Sequence, residues 1–261
     1  MSILSRFADR LVLQPTTRFV EPNGLVRHVI TTPESEIEAW TTRSKANHQP
    51  HKLLLLKFPG TGGRAERSSL HPAEAWPQAE TEAWTFNHRG YGGSTGPASL
   101  DNFKHTCDAA YKAATTQFPG HHVVVYGNSL GCLSALYISA NHPVHGAYLR
   151  NPPPLANMIA TRPRYAAWSF GFSRWIAKQI PLELDSLENA RQSTCPALFI
   201  QSELDRVVPT SYQDQVIAAY AGPIRKLVLA GADHHHRAPE EQLEQYGDAV
   251  RWLGDQAIQC Q

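Results

Sequence analysis

The clearest sign of covalent chemistry in this chain is a serine placed between two glycines. Residues 123–132 read "VVVYGNSLGC", so Ser129 is the centre of a Gly-x-Ser-x-Gly turn. A serine hydroxyl is a weak nucleophile at neutral pH, and an enzyme that uses one must expose it, deprotonate it during attack and stabilise the oxyanion. Gly127 and Gly131 remove Cβ atoms where a strand and a helix approach each other, which favours an exposed serine.

The residues around the turn distinguish it from a chance occurrence, for which an ordinary strand-to-helix turn is the alternative. The β-branched run before it predicts a strand over His122–Tyr126, and residues 130–140 have the composition of an apolar helix. Ser129 would then lie at a helix N-terminus, where free N–H groups favour developing negative charge. The sequence therefore predicts Ser129 as a nucleophile.

Apolar runs alternate with turns and helix-like segments along most of the chain. This alternation predicts the α/β class, with a mostly parallel central sheet flanked by helices. Residues 25–32 and 37–43 could add an antiparallel hairpin at one edge. The predicted parallel strands are Lys52–Phe58, Ala83–Asn87, His122–Tyr126, Gly146–Arg150, Ala197–Gln201 and Lys226–Ala230.

The chain length of 261 residues predicts a single domain over residues 1–261. Apolar spacing predicts amphipathic helices at 103–118 and 243–253. Residues 151–190 are too long for a usual connection between a helix and a strand, and they predict a short helical insertion. This insertion is either a lid or a set of core helices that buries an aromatic stripe, formed by Tyr165, Trp168, Phe170, Phe172 and Trp175.

Composition argues against several partners and cofactors. The formal net charge is +1 and 18% of the residues are charged, so there is no basic field that would capture nucleic acid. The histidine runs at 121–122 and 234–236 lack CxxC or HExxH spacing, and hydrogen-bonded or solvated histidines are the simpler interpretation. We expect a small-molecule ester or acyl substrate, no metal, no organic cofactor and no nucleic acid partner.

The cysteines and the N-terminus favour a cytoplasmic protein. The four cysteines have no framework spacing, which favours reduced thiols. Charged residues interrupt the first thirteen residues, which argues against a signal peptide or a membrane-spanning helix. A short amphipathic helix there would pack against the domain or contact a membrane, and packing is the expectation. Its apolar face would consist of Ile3, Leu4, Phe7 and Leu11.

The nucleophile turn and the order of strands resemble the serine-type α/β-hydrolases, in their esterase, lipase and peptidase-like branch, over nearly the whole chain. The resemblance implies an acid after a later strand and a histidine after the last strand. Asp205 in "ALFIQSELDRVVP" and His234 in "KLVLAGADHHH" match these positions. His234 would take the Ser129 proton and return it to the leaving group, while Asp205 would orient the imidazole and stabilise its charged form.

Other acids and bases lie close to these two positions. Glu203 is two residues before Asp205, on the opposite phase of a strand, and Asp233 is better interpreted as a loop residue. His235 or His236 would replace His234 if the loop register were shifted. The family spacing from the preceding glycine favours His234.

The resemblance also implies two main-chain donors for an oxyanion. One is the N–H of Leu130, directly after the nucleophile, and the other is the N–H of Thr61, in "LLLLKFPGTGGR". Pro59 replaces the histidine that is usual in this loop, which leaves a main-chain donor available. A phosphate-binding loop is the competing interpretation of residues 60–63, but no Gly-Lys-Ser/Thr follows.

A second stretch, "TFNHRGYGGSTG", resembles a family signature that usually carries aspartate at the position of Asn87. The glycines there supply tight turns, and the arginine, Arg89, usually connects loops. We expect a structural role for this stretch, with a looser connection where asparagine replaces aspartate.

These residues predict a serine hydrolase that cleaves carboxylic esters through an acyl-Ser129 intermediate. Thioesterase, serine peptidase and acyltransferase activities use the same triad and remain alternatives. A ligand-binding protein that has lost turnover is a further alternative, although a binder has no need of Ser129, Asp205 and His234 together. Short acyl chains are slightly favoured because the insertion is modest.

Overall fold

The computed structural model describes residues 9, 12–22, 24–44, 51–162 and 170–260. Two expectations fall outside these residues. One is the amphipathic N-terminal helix, because Ile3, Leu4, Phe7 and Leu11 are not described. The other is the first half of the aromatic stripe, formed by Tyr165 and Trp168.

The described chain forms one eight-stranded sheet in the order β1-β2-β4-β3-β5-β6-β7-β8. β1 and β2 form an antiparallel hairpin, β2 pairs antiparallel with β4, and all other pairs are parallel. The mostly parallel sheet with an antiparallel edge is therefore confirmed. The strands are β1 Val26–Thr31, β2 Glu36–Arg43, β3 His51–Phe58, β4 Ala79–Phe86, β5 His122–Asn128, β6 Gly146–Arg150, β7 Ala197–Ser202 and β8 Ile224–Leu229.

The bound that differs most from the sequence prediction is the start of β4. β4 begins at Ala79 rather than Ala83, because its first half alternates buried and half-buried side chains and so lacks a continuous apolar run. In β3, by contrast, Leu54 and Leu56 pack into the core on one face of the sheet, while Leu53 and Leu55 pack into the core on the other. Burial on both faces explains the unbroken run of leucines.

Helices cover both faces of this sheet. The predicted helices at 103–118 and 243–253 are confirmed as α1 and α7, and the helix after Ser129 is confirmed as α2. The α-helices within the described residues are α1 Phe103–Gln117, α2 Gly131–Asn141, α3 Leu155–Thr161, α4 Phe170–Ala177, α5 Ser186–Gln192, α6 Thr210–Ala219 and α7 Leu243–Gln259.

The segment between β6 and β7 carries α3, α4 and α5. The Phe172 and Trp175 rings of α4 stack with centroids 5.7 Å apart and pack half-buried against the main core. This half of the aromatic stripe therefore lies on the body of the protein. The assignment of residues 151–190 as a lid stays a prediction.

Strand register brings the carboxyl ends of the central strands to one edge. Phe58 at the end of β3 pairs with Gly127 in β5, and Gly127 pairs with Leu149 in β6. Arg150 pairs in turn with Ile200 in β7. The loops that follow these strands must therefore converge, and in open α/β sheets this edge is where ligands bind.

Asn87 lies in a buried cluster that explains why it is not an aspartate. Its side-chain amide donates to Glu38 Oε2 at 2.7 Å and to Glu66 Oε2 at 2.9 Å, and all three side chains are buried. Burial by itself raises the pKa of Glu38, but hydrogen bonds from Arg27, the Gly93 N–H and Asn87 together lower it. A third carboxylate at position 87 would have no proton to give. The asparagine therefore supplies two N–H donors that an aspartate would lack, while the expectation that it loosens the connection made by Arg89 stays a prediction.

Arg89 connects two parts of the chain, as expected for this signature. Its Nη1 donates to Glu34 Oε2 at 3.2 Å, in the turn of the edge hairpin. The same nitrogen donates to Asn102 Oδ1 at 3.1 Å, directly before α1. The role of this arginine is thus structural.

Asn87→Asp should destabilise the fold by about 3 kcal/mol near pH 7, because it places a carboxylate between two others. Like charges raise the pKa of the new carboxyl in the folded state, so its cost is largest above that pKa and diminishes as the pH falls. Urea unfolding of the variant and the wild type between pH 5 and 8 measures the difference. Asn102→Asp, which places the same change beside the Arg89 guanidinium, should cost far less. Equal losses for the two variants would contradict this account.

Candidate active site

The turn that carries Ser129 depends on its two glycines. A Cβ at Gly131 would lie 2.0 Å from the Phe58 carbonyl oxygen, and one at Gly127 would lie 2.6 Å from the Cys132 Cα. Ser129 itself has φ 51°, in the left-handed region that a non-glycine residue rarely adopts. Such strain persists only where the surrounding structure fixes it, and it is frequent at active sites.

The backbone around Ser129 is anchored to the neighbouring strand. The Ser129 N–H donates to the Arg150 carbonyl at 2.8 Å, and α2 begins two residues later at Gly131. Cys132 is fully buried, and burial raises the pKa of its thiol, so this thiol is not a competing nucleophile. Ser129 therefore stays the predicted nucleophile of this turn.

Asp205 lies at the carboxyl end of β7 with its side chain fully buried. Its Oδ1 accepts the N–H groups of Val207 and Val208, each at 2.8 Å. Its Oδ2 accepts Nε2 of Gln213, from α6, at 3.2 Å, and Nδ1 of His234 at 2.6 Å. A buried carboxylate with four donors is fixed in one orientation.

His234 is the histidine that reaches this carboxylate. It is 8% exposed, whereas the rival bases His235 and His236 are exposed. His236 Nδ1 instead accepts the Asp233 N–H at 3.2 Å. Among the rival acids, Glu203 is exposed and accepts the Gly231 N–H at 2.7 Å, away from the imidazole. Asp233 is also exposed, and its Oδ1 accepts the N–H groups of His235 and His236.

Ser129 and His234 face the same cavity, whose volume is about 530 Å³. The structure brings Asp205 and His234 into contact. Within the described residues the Ser129 hydroxyl forms no hydrogen bond, so His234 and Ser129 are not hydrogen-bonded to each other. Such contacts are often long in the absence of substrate. The other side chains on the wall include Val12, Gln14, Arg67, Pro153, Leu155, Met158, Val207, Val208 and His235.

Thr61 and Leu130 line this cavity as well. Neither of their backbone N–H groups donates to another residue in the part of the chain that the structure describes. Gly60 allows their two segments to meet, since a Cβ there would lie 2.9 Å from the Asn128 carbonyl oxygen. Two unused donors beside a serine can stabilise an oxyanion.

Sequence reasoning missed three residues that hold this arrangement. Gln213 is fully buried and donates to both Asp205 and the Val208 carbonyl. Arg150 and Asn151 contact the histidine loop from the end of β6. An asparagine before three prolines, in a position that requires φ 49°, was the available signal for Asn151.

Comparison with known proteins agrees with this architecture. A family model described as the alpha/beta hydrolase fold matches residues 73–181. The chain has the α/β-hydrolase fold. The structure of Est1E from Butyrivibrio proteoclasticus superimposes with a TM-score of 0.65 at 17% identity, covering 89% of this chain and 98% of that chain. The Pyrococcus furiosus esterase Pf2001 gives a TM-score of 0.66 at 15% identity, covering 93% and 99%.

Curated relatives are similar over part of their length. Alpha/beta hydrolase domain-containing protein 17B of Xenopus laevis is 24% identical over 175 residues, which are 65% of this chain and 54% of that protein. An uncharacterised protein of Mycobacterium tuberculosis is 26% identical over 185 residues, covering 70% and 62%. The matched region is thus a little more than half of each relative.

Two further features concern membranes and metals. No helix there is long and apolar enough to cross a membrane. Within the same residues no group of three or more histidine, cysteine, aspartate or glutamate side chains is arranged to hold a metal ion.

His234→Ala should lower kcat for an activated ester by about 10²–10⁴-fold, because the general base is removed. Asp205→Asn should also lower it, through loss of the carboxylate that accepts the imidazole N–H. Steady-state hydrolysis of p-nitrophenyl acetate measures both variants. The matched controls His236→Ala and Glu203→Gln should stay within a few-fold of wild type. A large loss in a control with His234→Ala unaffected would reassign the base or the acid.

Proposed function

We propose that this α/β-hydrolase is a serine hydrolase that cleaves carboxylic esters through an acyl-Ser129 intermediate. The observation that carries the proposal is the 2.6 Å contact between His234 Nδ1 and the buried Asp205 carboxylate, at a cavity that Ser129 also lines. A base oriented by an acid, beside a hydroxyl that lines a cavity, is the arrangement that nucleophilic catalysis requires.

In the proposed mechanism the Ser129 hydroxyl attacks the ester carbonyl carbon while His234 Nε2 takes its proton. The tetrahedral oxyanion accepts hydrogen bonds from the N–H groups of Thr61 and Leu130. The intermediate collapses when the carbon–oxygen bond to the alcohol breaks, and His234 returns the proton to the departing alcohol. A water molecule then attacks the acyl-Ser129 carbonyl while His234 Nε2 takes its proton. The bond between the acyl carbon and Ser129 Oγ breaks, His234 returns the proton to Oγ, and the carboxylic acid leaves.

Asp205 has a supporting role in each of these steps. Its carboxylate accepts the His234 Nδ1–H, which fixes the tautomer that leaves Nε2 free to act as a base. It also stabilises the imidazolium that forms during attack. The backbone donors from Val207 and Val208 keep the carboxylate in place.

The wall of the cavity favours a small ester with one apolar part. Leu155 and Met158 from α3 and Val208 after β7 supply apolar contacts. A volume of about 530 Å³ is within the range of small-molecule sites. Thioesters and amides pass through the same tetrahedral intermediate, so thioester and amide substrates are to be assayed beside the esters. Product analysis with an added alcohol distinguishes acyl transfer from hydrolysis.

Arg67 supports a preference for an anionic substrate group. It is exposed on the cavity wall, and no aspartate or glutamate is among the described lining residues. Arg64, one turn earlier, is buried and paired with Glu66, whereas Arg67 has no acidic partner within the described residues. We therefore include an ester with a carboxylate remote from the scissile bond in the proposed substrate class.

A fluorophosphonate probe should label the wild type at Ser129 and should leave Ser129→Ala unlabelled. The reason is that the probe phosphonylates an activated serine but not an ordinary hydroxyl. Intact-mass and peptide mass spectrometry identify the site. Ser211→Ala, which removes an exposed serine on α6, is the matched control and should label like wild type. Failure of the well-folded wild type to label would favour a non-catalytic binding protein.

Two esters of similar size test whether Arg67 favours an anionic substrate. The mono-p-nitrophenyl ester of glutarate carries a remote carboxylate, and p-nitrophenyl pentanoate is neutral. Arg67→Gln should lower kcat/KM for the anionic ester roughly fivefold and leave the neutral ester unchanged, because an exposed ion pair contributes up to about 1 kcal/mol. Arg67→Lys should retain most of the preference. Arg191→Gln, which removes an exposed arginine from α5, is the control. A uniform effect on both esters would remove charge recognition from the proposal.

A cytoplasmic location also belongs to this proposal. All four cysteines are free thiols, and three of them are buried. Unpaired thiols are usual in a reducing compartment.

A further inference from the structure

The dipeptide Arg150–Asn151 contacts all three segments that carry the proposed catalytic residues. The Arg150 carbonyl accepts the Ser129 N–H at 2.8 Å, and the Arg150 guanidinium donates to the His236 carbonyl in the histidine loop. The Asn151 side chain reaches both the end of β7, which leads into the acid loop, and the histidine loop.

Asn151 is the more specific member of this pair. Its Oδ1 accepts the Ser202 N–H at 2.9 Å, three residues before Asp205. Its Nδ2 donates to Ser202 Oγ at 3.2 Å and to the His234 carbonyl at 3.4 Å. With partners for both its oxygen and its nitrogen, the buried amide has a single orientation.

The backbone of Asn151 is fixed as tightly as its side chain. The residue is fully buried, has φ 49° and donates its N–H to the Ile200 carbonyl at 2.9 Å. Asparagine is one of the few non-glycine residues that adopt this left-handed conformation readily. The conformation directs the amide toward both neighbouring segments instead of along β6.

We propose that Asn151 is a positioning residue for catalysis, one that holds the His234 backbone at a fixed distance from the end of β7, which leads into the loop of Asp205. The inference rests on the proposed serine hydrolase function. His234 lies in a loop after β8, so its ring direction depends on how the loop backbone is anchored. A displacement of about 1 Å at a catalytic group costs on the order of 10²-fold in rate.

Two substitutions separate the side-chain contacts from the backbone strain. Asn151→Gly accepts φ 49° without penalty and removes every side-chain contact. Asn151→Asp keeps the size of the side chain and the acceptor for the Ser202 N–H, but it replaces the donor to the His234 carbonyl with a carboxylate oxygen. Both variants should lower kcat about 10-fold to 100-fold. KM should change less than threefold, because neither variant alters the residues that line the cavity.

The matched control is Asn189→Ala on α5. Asn189 is also buried, and its side-chain amide donates to the Glu183 carbonyl at 2.8 Å, away from the cavity. Its loss should lower the melting temperature to an extent comparable with Asn151→Gly. Turnover per active site, counted from the p-nitrophenol burst, should remain that of wild type.

Proton NMR gives a readout that general destabilisation would not change. The proton between His234 Nδ1 and Asp205 Oδ2 should appear strongly downfield in the folded wild type and be absent in His234→Ala. In Asn151→Gly and Asn151→Asp it should be broadened or lost at temperatures where circular dichroism is that of the folded protein. Asn189→Ala should retain it.

The outcomes separate this inference from the proposed function. Wild-type kcat and an unchanged downfield resonance in both Asn151 variants would overturn the positioning role. If wild type hydrolyses no ester and Ser129 takes no probe, the proposed function fails, and the resonance still reports whether Asn151 orients His234. Lower kcat with the resonance intact would assign the loss to another cause and would also overturn the inference.

Discussion

The close approach of three backbone segments at the carboxyl edge of the sheet is the constraint on which the rest of this molecule depends. The end of β3, the end of β5 and the start of α2 come so near one another that a Cβ at Gly131 would meet the Phe58 carbonyl at 2.0 Å. A side chain in that space would force α2 away from the sheet. Ser129 would then lose both its strained conformation and its position beside the Thr61 loop.

This approach also explains why the unused backbone donors are found together. The Thr61 and Leu130 amides belong to segments distant in sequence, and they line one cavity because Gly60 lets the first loop lie against the second. Donors that need no rearrangement during a reaction stabilise charge more effectively than mobile ones. The same glycines that permit close packing therefore place two unused donors at the cavity that Ser129 lines.

Hydrogen bonds to buried polar side chains fix other parts of the interior. Asp205 is fully buried yet receives four hydrogen bonds, and Asn87 supplies the donors that two buried glutamates need. Burying such groups without partners would cost several kcal/mol. Each cluster thus fixes the relative position of loops that apolar packing alone would leave free.

The sequence by itself determined the elements of the sheet, most of the helices and the residue types at the nucleophile turn. Local patterns suffice for these features, because the burial of a strand, the apolar spacing of a helix and the glycines of a tight turn all depend on residues that are neighbours in the sequence. The acid and the base could be expected only by resemblance to a family, since Asp205 and His234 are separated by a strand and a helix. Their 2.6 Å contact is visible only in the tertiary structure, where the loops after β7 and β8 meet.

Tertiary structure alone decided the parts that depend on which loops meet. The three prolines after Asn151 mark an unusual turn but do not identify its partners, which lie 51 and 83 residues away along the chain. No pattern marks Gln213, whose contact with Asp205 forms only when α6 packs beside the loop after β7. The identity of Asn87 became intelligible only when Glu38 and Glu66 were found on either side of it. Periodicity records which face of an element is buried, whereas a polar contact across the sheet depends on the register of several strands at once.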